Sequence, residues 1–206
     1  IPELNIQAGM FDSSKYISSF GIDSLFDGQG FFYIGELSYS PIIKKCWGRY
    51  VYGMWLETKA LNQITAHNTN DYSNKLNNYG LYSGFVQMIH KENFDKNDDQ
   101  GLLLNGKFGF APQGRNVVSK DYAVGLQYKG PINGRNHDMA GIGTSIAVLS
   151  NQLKEEKIKP EVVLEMYYKY QLSPFMFIEP DFQIVFNPGG IYKNCFVLGL
   201  RINVKL

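Results

Sequence analysis

The chain has 206 residues and a formal net charge of +1, from 20 basic and 19 acidic residues. This balance gives no electrostatic reason to expect binding to nucleic acid or to an acidic membrane surface. No apolar run approaches the roughly 18–20 residues of a membrane-spanning helix, which excludes a helical membrane protein but not a transmembrane β-barrel. Fourteen Tyr, fourteen Phe and 21 Gly favour strands and tight turns.

Ten segments alternate apolar and polar residues with a period of two, which predicts strands because successive side chains of an extended chain point to opposite faces. In chain order they are 3–10, 31–40, 46–57, 79–91, 101–111, 121–129, 138–150, 161–172, 175–187 and 195–206. The last segment has one face without any charge, made of Phe196, Leu198, Leu200, Ile202, Val204 and Leu206. A soluble edge strand would rarely tolerate such a face. We therefore expect it to contact lipid.

The lengths of strands and links predict the architecture. Most segments have about 10–13 residues, close to the 9–11 that a tilted strand needs to cross a bilayer. The first links alternate between long and short: 11–30, 41–45, 58–78 and 92–100. Outer-membrane barrels pair long extracellular loops with short periplasmic turns. The prediction is an all-β fold, an antiparallel transmembrane β-barrel with about ten strands present and Leu206 on the periplasmic side. A soluble β-sandwich is the remote alternative, with strands that are usually shorter.

Aromatic residues gather near strand ends on the apolar face, as expected at the headgroup level of a membrane. They are Tyr39, Tyr122, Tyr128, Tyr168, Tyr170 and Phe186. Pro180 interrupts a predicted strand and cannot donate a ladder hydrogen bond, so a local bend is expected there.

The polar faces would line an aqueous lumen. Six acids (Glu3, Glu36, Glu57, Glu165, Glu179, Asp181) face six bases (Arg49, Lys107, Lys129, Lys169, Arg201, Lys205), with amides such as Gln87 and Asn105 between them. The balance predicts no selectivity for either ion sign and suits a small neutral sugar. The candidate solute-binding residues are Trp55, Glu57, Arg49, Lys107, Lys129, Glu165, Lys169, Glu179, Asp181 and Arg201, with Trp55 placed to stack on a sugar ring. Alternatively, these positions are polar only because water is there.

The sequence contains no catalytic or metal-binding pattern. We find no nucleophile elbow, no zinc-protease motif and no ligand spacing among His67, His90 and His137, so we predict neither an enzyme, a metal site nor a cofactor. The two cysteines, Cys46 and Cys195, are predicted to lie at opposite ends of their strands as free thiols.

Several ordered stretches resemble the carbohydrate-selective porin family OprB. They are GMWLET (53–58), YGLYSGFVQMI (79–89), FGFAPQGRNVV (108–118), GLQYKGPINGRNHD (125–138), LEMYYKYQLSPFMFIEPDFQIVFNPGG (164–190) and FVLGLRINVKL (196–206). The resemblance implies a barrel in a Gram-negative outer membrane, in contact with its lipid, that passes sugars by diffusion without a cofactor. Oligomers are possible. This chain departs from the family in its final residue, Leu206 instead of an aromatic, and in a less acidic turn at 134–138.

The resemblance also implies about sixteen strands, whereas the sequence predicts ten. We therefore expect residues 1–206 to form one partial barrel domain, the C-terminal part of such a porin, completed by a missing N-terminal segment or a partner chain. The alternative is a small barrel closed by pairing 3–10 with 195–206. For function, the alternative is a non-transporting outer-membrane protein that uses loops 11–30 and 58–78 for adhesion or anchoring.

Overall fold

A computed structural model describes residues 3–13, 30–61, 76–93, 99–153 and 158–205 of the chain. Its strands are β1 Glu3–Asp12, β2 Phe31–Ser40, β3 Ile42–Ile43, β4 Cys46–Leu61, β5 Leu76–Lys91, β6 Gly101–Phe110, β7 Val118–Lys129, β8 Met139–Leu149, β9 Glu161–Ser173, β10 Met176–Phe186 and β11 Cys195–Val204. Short 3-10 turns span Asn151–Leu153 and Pro188–Gly190. Among the described residues, no helix has the length and apolar character needed to cross a membrane.

The strands form one antiparallel meander, which confirms the predicted all-β class. Each long strand pairs with the next one in the order β1-β2-β4-β5-β6-β7-β8-β9-β10-β11. The sheet is open: β1 and β11 are its two edges and do not pair with each other. The prediction missed β3, a two-residue strand that pairs only with the start of β4. Its hairpin turns through Lys44 and Lys45 with φ of 49° and 66°, the twist that a two-residue hairpin loop needs.

The register separates two faces, because paired residues of neighbouring strands point to the same side. The outer face is apolar: Ile142, for example, pairs with Leu126 on β7 and with Met166 on β9. These side chains stay exposed, up to 82% at Leu198, and Cys46 and Met88 are the hydrophobic residues that are buried among those described. A soluble sandwich would bury such rows against a second sheet. The outer face is therefore built for an apolar surrounding.

The aromatic residues predicted for the headgroup level all lie on the outer face. Tyr39 pairs with Leu4, Tyr122 with Ile146, and Phe186 with Val162. Tyr128, Tyr168 and Tyr170 follow the same register. Pro180 also lies on this face, opposite Leu200. The β9–β10 ladder has the same register on both sides of it, so Pro180 interrupts the pairing without shifting the strand.

The antiparallel order sorts the links into two ends of the sheet. One end, here called the short-turn end, carries the links 41–45, 92–100, 130–138 and 174–175. The other, the long-loop end, carries 13–30, 62–75, 111–117, 150–160 and 187–194. Cys46 and Cys195 start their strands at opposite ends. Most of the loops predicted at 11–30 and 58–78 lies outside the described residues, and the strands β1, β4 and β5 extend into their ends.

At the long-loop end, the connections pack on one another. The Ser150 hydroxyl donates a hydrogen bond to the Gln113 carbonyl oxygen at 2.6 Å, which ties link 150–160 to link 111–117. The Gly189 amide donates to the Glu161 carboxylate at 2.6 Å. These contacts join link 111–117 to link 150–160, and link 187–194 to the start of β9.

Candidate functional site

All ten residues predicted to line a lumen lie on one face of the sheet. We call this the inner face. Its side chains point to the same side of the sheet as those of Arg49, Trp55 and Glu57 on β4, away from the apolar rows of the outer face. The others are Lys107 on β6, Lys129 on β7, Glu165 and Lys169 on β9, Glu179 and Asp181 on β10, and Arg201 on β11. The sheet therefore gathers side chains from six strands on one surface.

One cross-strand row shows how the inner face is built. It starts at Arg49 on β4 and continues through Val86, Asn105, Gly125 and Gly143 to Glu165 on β9. The centre of the row is small because Gly125 and Gly143 pair directly. Within this row, which continues to Gln183 and Val197, the cation Arg49 and the carboxylate Glu165 thus lie on either side of a shallow middle.

Aromatic rings cover glycines on the wall between β2 and β5. The Trp55 indole lies over Gly80, its direct partner on β5, where a Cβ atom would overlap the ring. Reciprocally, the Tyr82 ring lies over Gly53 on β4. The Phe32 ring stacks on Trp55 with centroids 5.7 Å apart and an angle of 22°. We call Phe32, Trp55 and Tyr82 the aromatic platform.

Two carboxylates border the aromatic platform. The Tyr82 hydroxyl donates a hydrogen bond to Glu36 at 3.0 Å. Glu57 lies in the next row, paired with Phe32 on one side and Asn78 on the other. A sugar presents an apolar ring face beside hydroxyl groups, so an aromatic surface edged by hydrogen-bond acceptors matches both of its surfaces.

Most of the other predicted residues form local contacts. Arg201 donates to Glu179 at 2.9 Å, and the Lys169 ammonium lies 4.3 Å from the centroid of the Phe177 ring. Asp181 covers Gly199 on β11. Lys107 forms an ion pair with Asp121 at 3.0 Å, and Lys129 pairs with Asp99. The Arg49 side chain forms no hydrogen bond or ion pair with a residue that the structure describes.

Sequence reasoning misplaced one residue and missed several. Gln87 was predicted for the polar face but lies on the outer face, paired with Gly48 and Leu104. It accepts a hydrogen bond from the Tyr50 hydroxyl at 3.0 Å and donates to the carbonyl oxygens of Trp47 and Met88. Its polarity is thus satisfied locally, so it does not require the lumen. Polarity was the wrong guide here because the inner neighbours Val86 and Met88 are apolar.

The inner-face residues that the prediction missed are Asp121, Glu161, Tyr82 and Tyr167. Lys91, which pairs with Gly101, also lies on this face, so among the described residues the prediction missed two acids and one base. Their alternation with outer residues, such as Tyr122 after Asp121, is the signal that could have identified them.

A cluster around the buried Asp138 joins turn 130–138 to β9 at the short-turn end. Two nitrogens of Arg135, Nε and Nη2, donate to the Asp138 carboxylate at 2.8 Å each, and the Tyr168 hydroxyl donates at 2.7 Å. The Gln171 amide adds a bond at 2.9 Å. The Arg135 guanidinium lies 3.8 Å from the centroid of the Tyr170 ring. Turn 130–138 is thereby fastened to β9.

This cluster perturbs the pKa of Asp138, whose side chain is 1% exposed. Burial acts to raise the pKa of Asp138, but hydrogen bonds from Arg135, the Gln171 amide and Tyr168 outweigh it and hold the pKa below the usual 3.8. Asp138 therefore serves the turn as a carboxylate.

Comparisons with known proteins agree with this arrangement. A family model described as "Carbohydrate-selective porin, OprB family" matches residues 1–206. The chain is 27% identical over 207 residues to Porin AaxA of Chlamydia felis, covering 98% of this chain and 42% of that protein. It is 23% identical to Porin B of Pseudomonas aeruginosa, covering 65% of this chain and 34% of that protein. These relatives are porins, which are channels and not enzymes.

The fold is similar to that of a solved porin. The high-pH structure of Pseudomonas putida OprB superposes with a TM-score of 0.81 at 21% identity, covering 98% of this chain and 55% of that one. The low-pH structure gives a TM-score of 0.67. The chain thus spans about half the length, or less, of the proteins it matches. With a family match over its full length, the chain belongs to the OprB family of carbohydrate-selective porins.

Proposed function

We propose that this chain forms part of the wall of a pore in a Gram-negative outer membrane, through which sugars and other small hydrophilic solutes diffuse passively. The observation that carries the proposal is the separation of the two faces. The outer face is predominantly apolar, with a few polar residues such as Gln87 and Thr144, while the inner face holds all ten predicted lumen residues. Lipid would contact the first and water the second.

The aromatic platform favours sugars among hydrophilic solutes. Trp55 and Tyr82 lie over glycines of the neighbouring strand, so their rings follow the wall. Glu57 stands beside them as a hydrogen-bond acceptor. A pyranose that moves along such a wall exchanges hydrogen bonds with water for contacts with the aromatic rings and hydrogen bonds to the carboxylate. Such binding is weak, and passive passage requires weak binding.

A working pore also needs a closed wall. The N–H and C=O groups on the free edges of β1 and β11 would each cost several kcal/mol in hydrocarbon. We propose that residues 1–206 act as a single partial-barrel domain and that further antiparallel strands, from another segment or a partner chain, close it. A disulfide between cysteines introduced at Asn5 and Asn203 in the assembled protein would contradict this, because it would require β1 and β11 to be neighbours.

Liposome swelling tests the transport proposal. Liposomes that contain the folded protein should swell in isotonic glucose and more slowly in isotonic disaccharide, while liposomes with the same amount of heat-unfolded protein should not. Protein that is demonstrably inserted and yet causes no swelling with any sugar would reject it.

A further inference from the structure

The inner face has a second feature besides the aromatic platform. A depression of about 630 Å³ lies between β4 and β7. Arg49 and Lys107 stand on its rim, and the amides of Asn105 and Gln127 also line it. Arg49 lies six residues from Trp55 on β4, about 20 Å along the strand at roughly 3.4 Å per residue. The depression is therefore separate from the platform.

The floor of the depression is open because Gly84 occupies the strand between the two cations. Arg49 is on β4 and Lys107 on β6, with β5 between them. A Cβ atom at Gly84 would meet only the Gly106 carbonyl oxygen at 3.5 Å and the Lys107 Cβ at 4.0 Å. Gly84 lies in the same cross-strand row as Lys107, whereas Val86 is the partner of Arg49. Two strand spacings and an offset of two residues place the backbones of the two cations about 12 Å apart.

The charges of this region leave positive potential available to a solute. The Arg49 side chain is exposed and forms no hydrogen bond or ion pair with the described residues. Lys107 is held by Asp121 at 3.0 Å, but its side chain is 63% exposed and that of Asp121 37%. Water and a competing anion can reach that pair, so it is a weak one. The remaining lining, including Val51, Val86 and Ala123, is uncharged.

We propose that this depression is a subsite for monosaccharides that carry a carboxylate, that is, sugar acids. The planar guanidinium of Arg49 matches a carboxylate with two parallel hydrogen bonds, and Lys107 adds a second positive group from the other rim. Asn105 and Gln127 offer donors and acceptors to the hydroxyl groups. The inference deepens the proposed function and rests on it for the orientation of this face toward the lumen.

The test compares two probes that differ at one carbon: glucose and glucuronate. Block of the ionic current through the assembled protein in a planar bilayer gives a dissociation constant for each. We expect Arg49→Gln to raise the dissociation constant of glucuronate about tenfold, which corresponds to about 1.4 kcal/mol. The dissociation constant of glucose should stay within twofold of the native value. Asp121→Asn removes the ion-pair partner of Lys107 and should lower the dissociation constant of glucuronate about threefold. Lys120→Gln removes one positive charge from the outer face and should change neither constant.

Each result of this test either supports or overturns the proposed subsite. Native protein that does not bind glucuronate, or an Arg49→Gln protein whose glucuronate constant stays within twofold of native, overturns the subsite. Should Arg49→Gln not fold, a glucuronate constant that Asp121→Asn leaves unchanged does the same. If glucose neither blocks nor passes while glucuronate binds through Arg49, the subsite stands and the neutral-sugar function fails.

Discussion

The indole of Trp55 occupies the space above Gly80, its direct partner across β4 and β5, where any larger residue would have its Cβ atom. The ring is thereby held along the wall instead of projecting from it. Because Phe32 stacks on the same indole, its position is fixed from two sides. The aromatic platform thus depends on a residue that has no side chain.

Gly80→Ala should displace the indole and weaken sugar binding, because a Cβ atom there overlaps Nε1 and Cε2 of Trp55. We expect a severalfold weaker glucose block of the current, with unitary conductance nearly unchanged. The matched control is Gly35→Ala on the outer face, where a Cβ atom meets nothing within 4 Å. Equal sugar constants for Gly80→Ala and Gly35→Ala would show that the position of the indole does not matter.

Trp55→Ala should lower glucose affinity about fivefold, since loss of aromatic stacking costs about 1 kcal/mol. Ion conductance should stay close to native because no charge is removed. Trp47→Ala, at the other tryptophan of the chain, serves as the control. An unaltered sugar block in Trp55→Ala would remove this residue from the site.

Adjacent residues on opposite faces should respond differently to the same charge. Thr144 pairs with Val124 and Leu164 on the outer face, and Ser145 pairs with Ala123 and Val163 on the inner face. Thr144→Arg should lower the free energy of unfolding in lipid by about 2–4 kcal/mol, the cost of a lipid-facing cation near the bilayer midplane. Ser145→Arg should cost far less and should instead reduce cation conductance. Equal destabilisation by both would contradict the assignment of faces.

The Asp138 cluster predicts a pH-dependent stability. Because the folded-state pKa lies below 3.8, the carboxylate stabilises the folded protein fully above about pH 4, and this contribution is lost as the pH falls through the lowered folded-state pKa. Asp138→Asn should therefore cost about 2 kcal/mol at pH 7, since buried donors lose their charged acceptor.

Thermal unfolding followed from pH 7 to pH 2 provides the measurement. The difference between native protein and Asp138→Asn should narrow in the acidic range, whereas Asn136→Ala in the same turn should resemble native protein throughout. A constant difference at every pH would mean that the charge of Asp138 contributes nothing.

The strands could be predicted from the sequence because apolar and polar residues alternate along most of them. The alternation of Phe196 to Val204 and of Tyr122 to Tyr128 set both the strand positions and the outward side, and the register confirms them. The prediction failed at Gln87, where polarity and direction disagree, since its amide is satisfied by Tyr50 and by backbone carbonyl groups.

Side-chain contacts between residues far apart along the chain could not be predicted from the sequence. Nothing in the local pattern tells that Tyr82 reaches Glu36 two strands away, or that turn 130–138 closes onto Tyr168 through Asp138. The sequence shows the turn only as a departure from the family pattern. Arg135 and Asp138 are three residues apart, but the contacts that join them to β9 involve Tyr168 and Gln171, which lie 30 or more residues away along the chain. Local alternation determines the face of a residue; its neighbours depend on the register between strands.

Cysteine accessibility tests the central claim that the two faces have different solvents. Single cysteines would be placed at Gln183 and Ser145 on the inner face and at Ile142 and Met166 on the outer face, with Cys46 and Cys195 replaced by serine. In lipid, a membrane-impermeant, water-soluble thiol reagent should modify the first two and reduce conductance, and it should leave the other two unmodified. Rapid modification at Ile142 and Met166, with protection at Gln183 and Ser145, would contradict the pore and every function assigned to its wall.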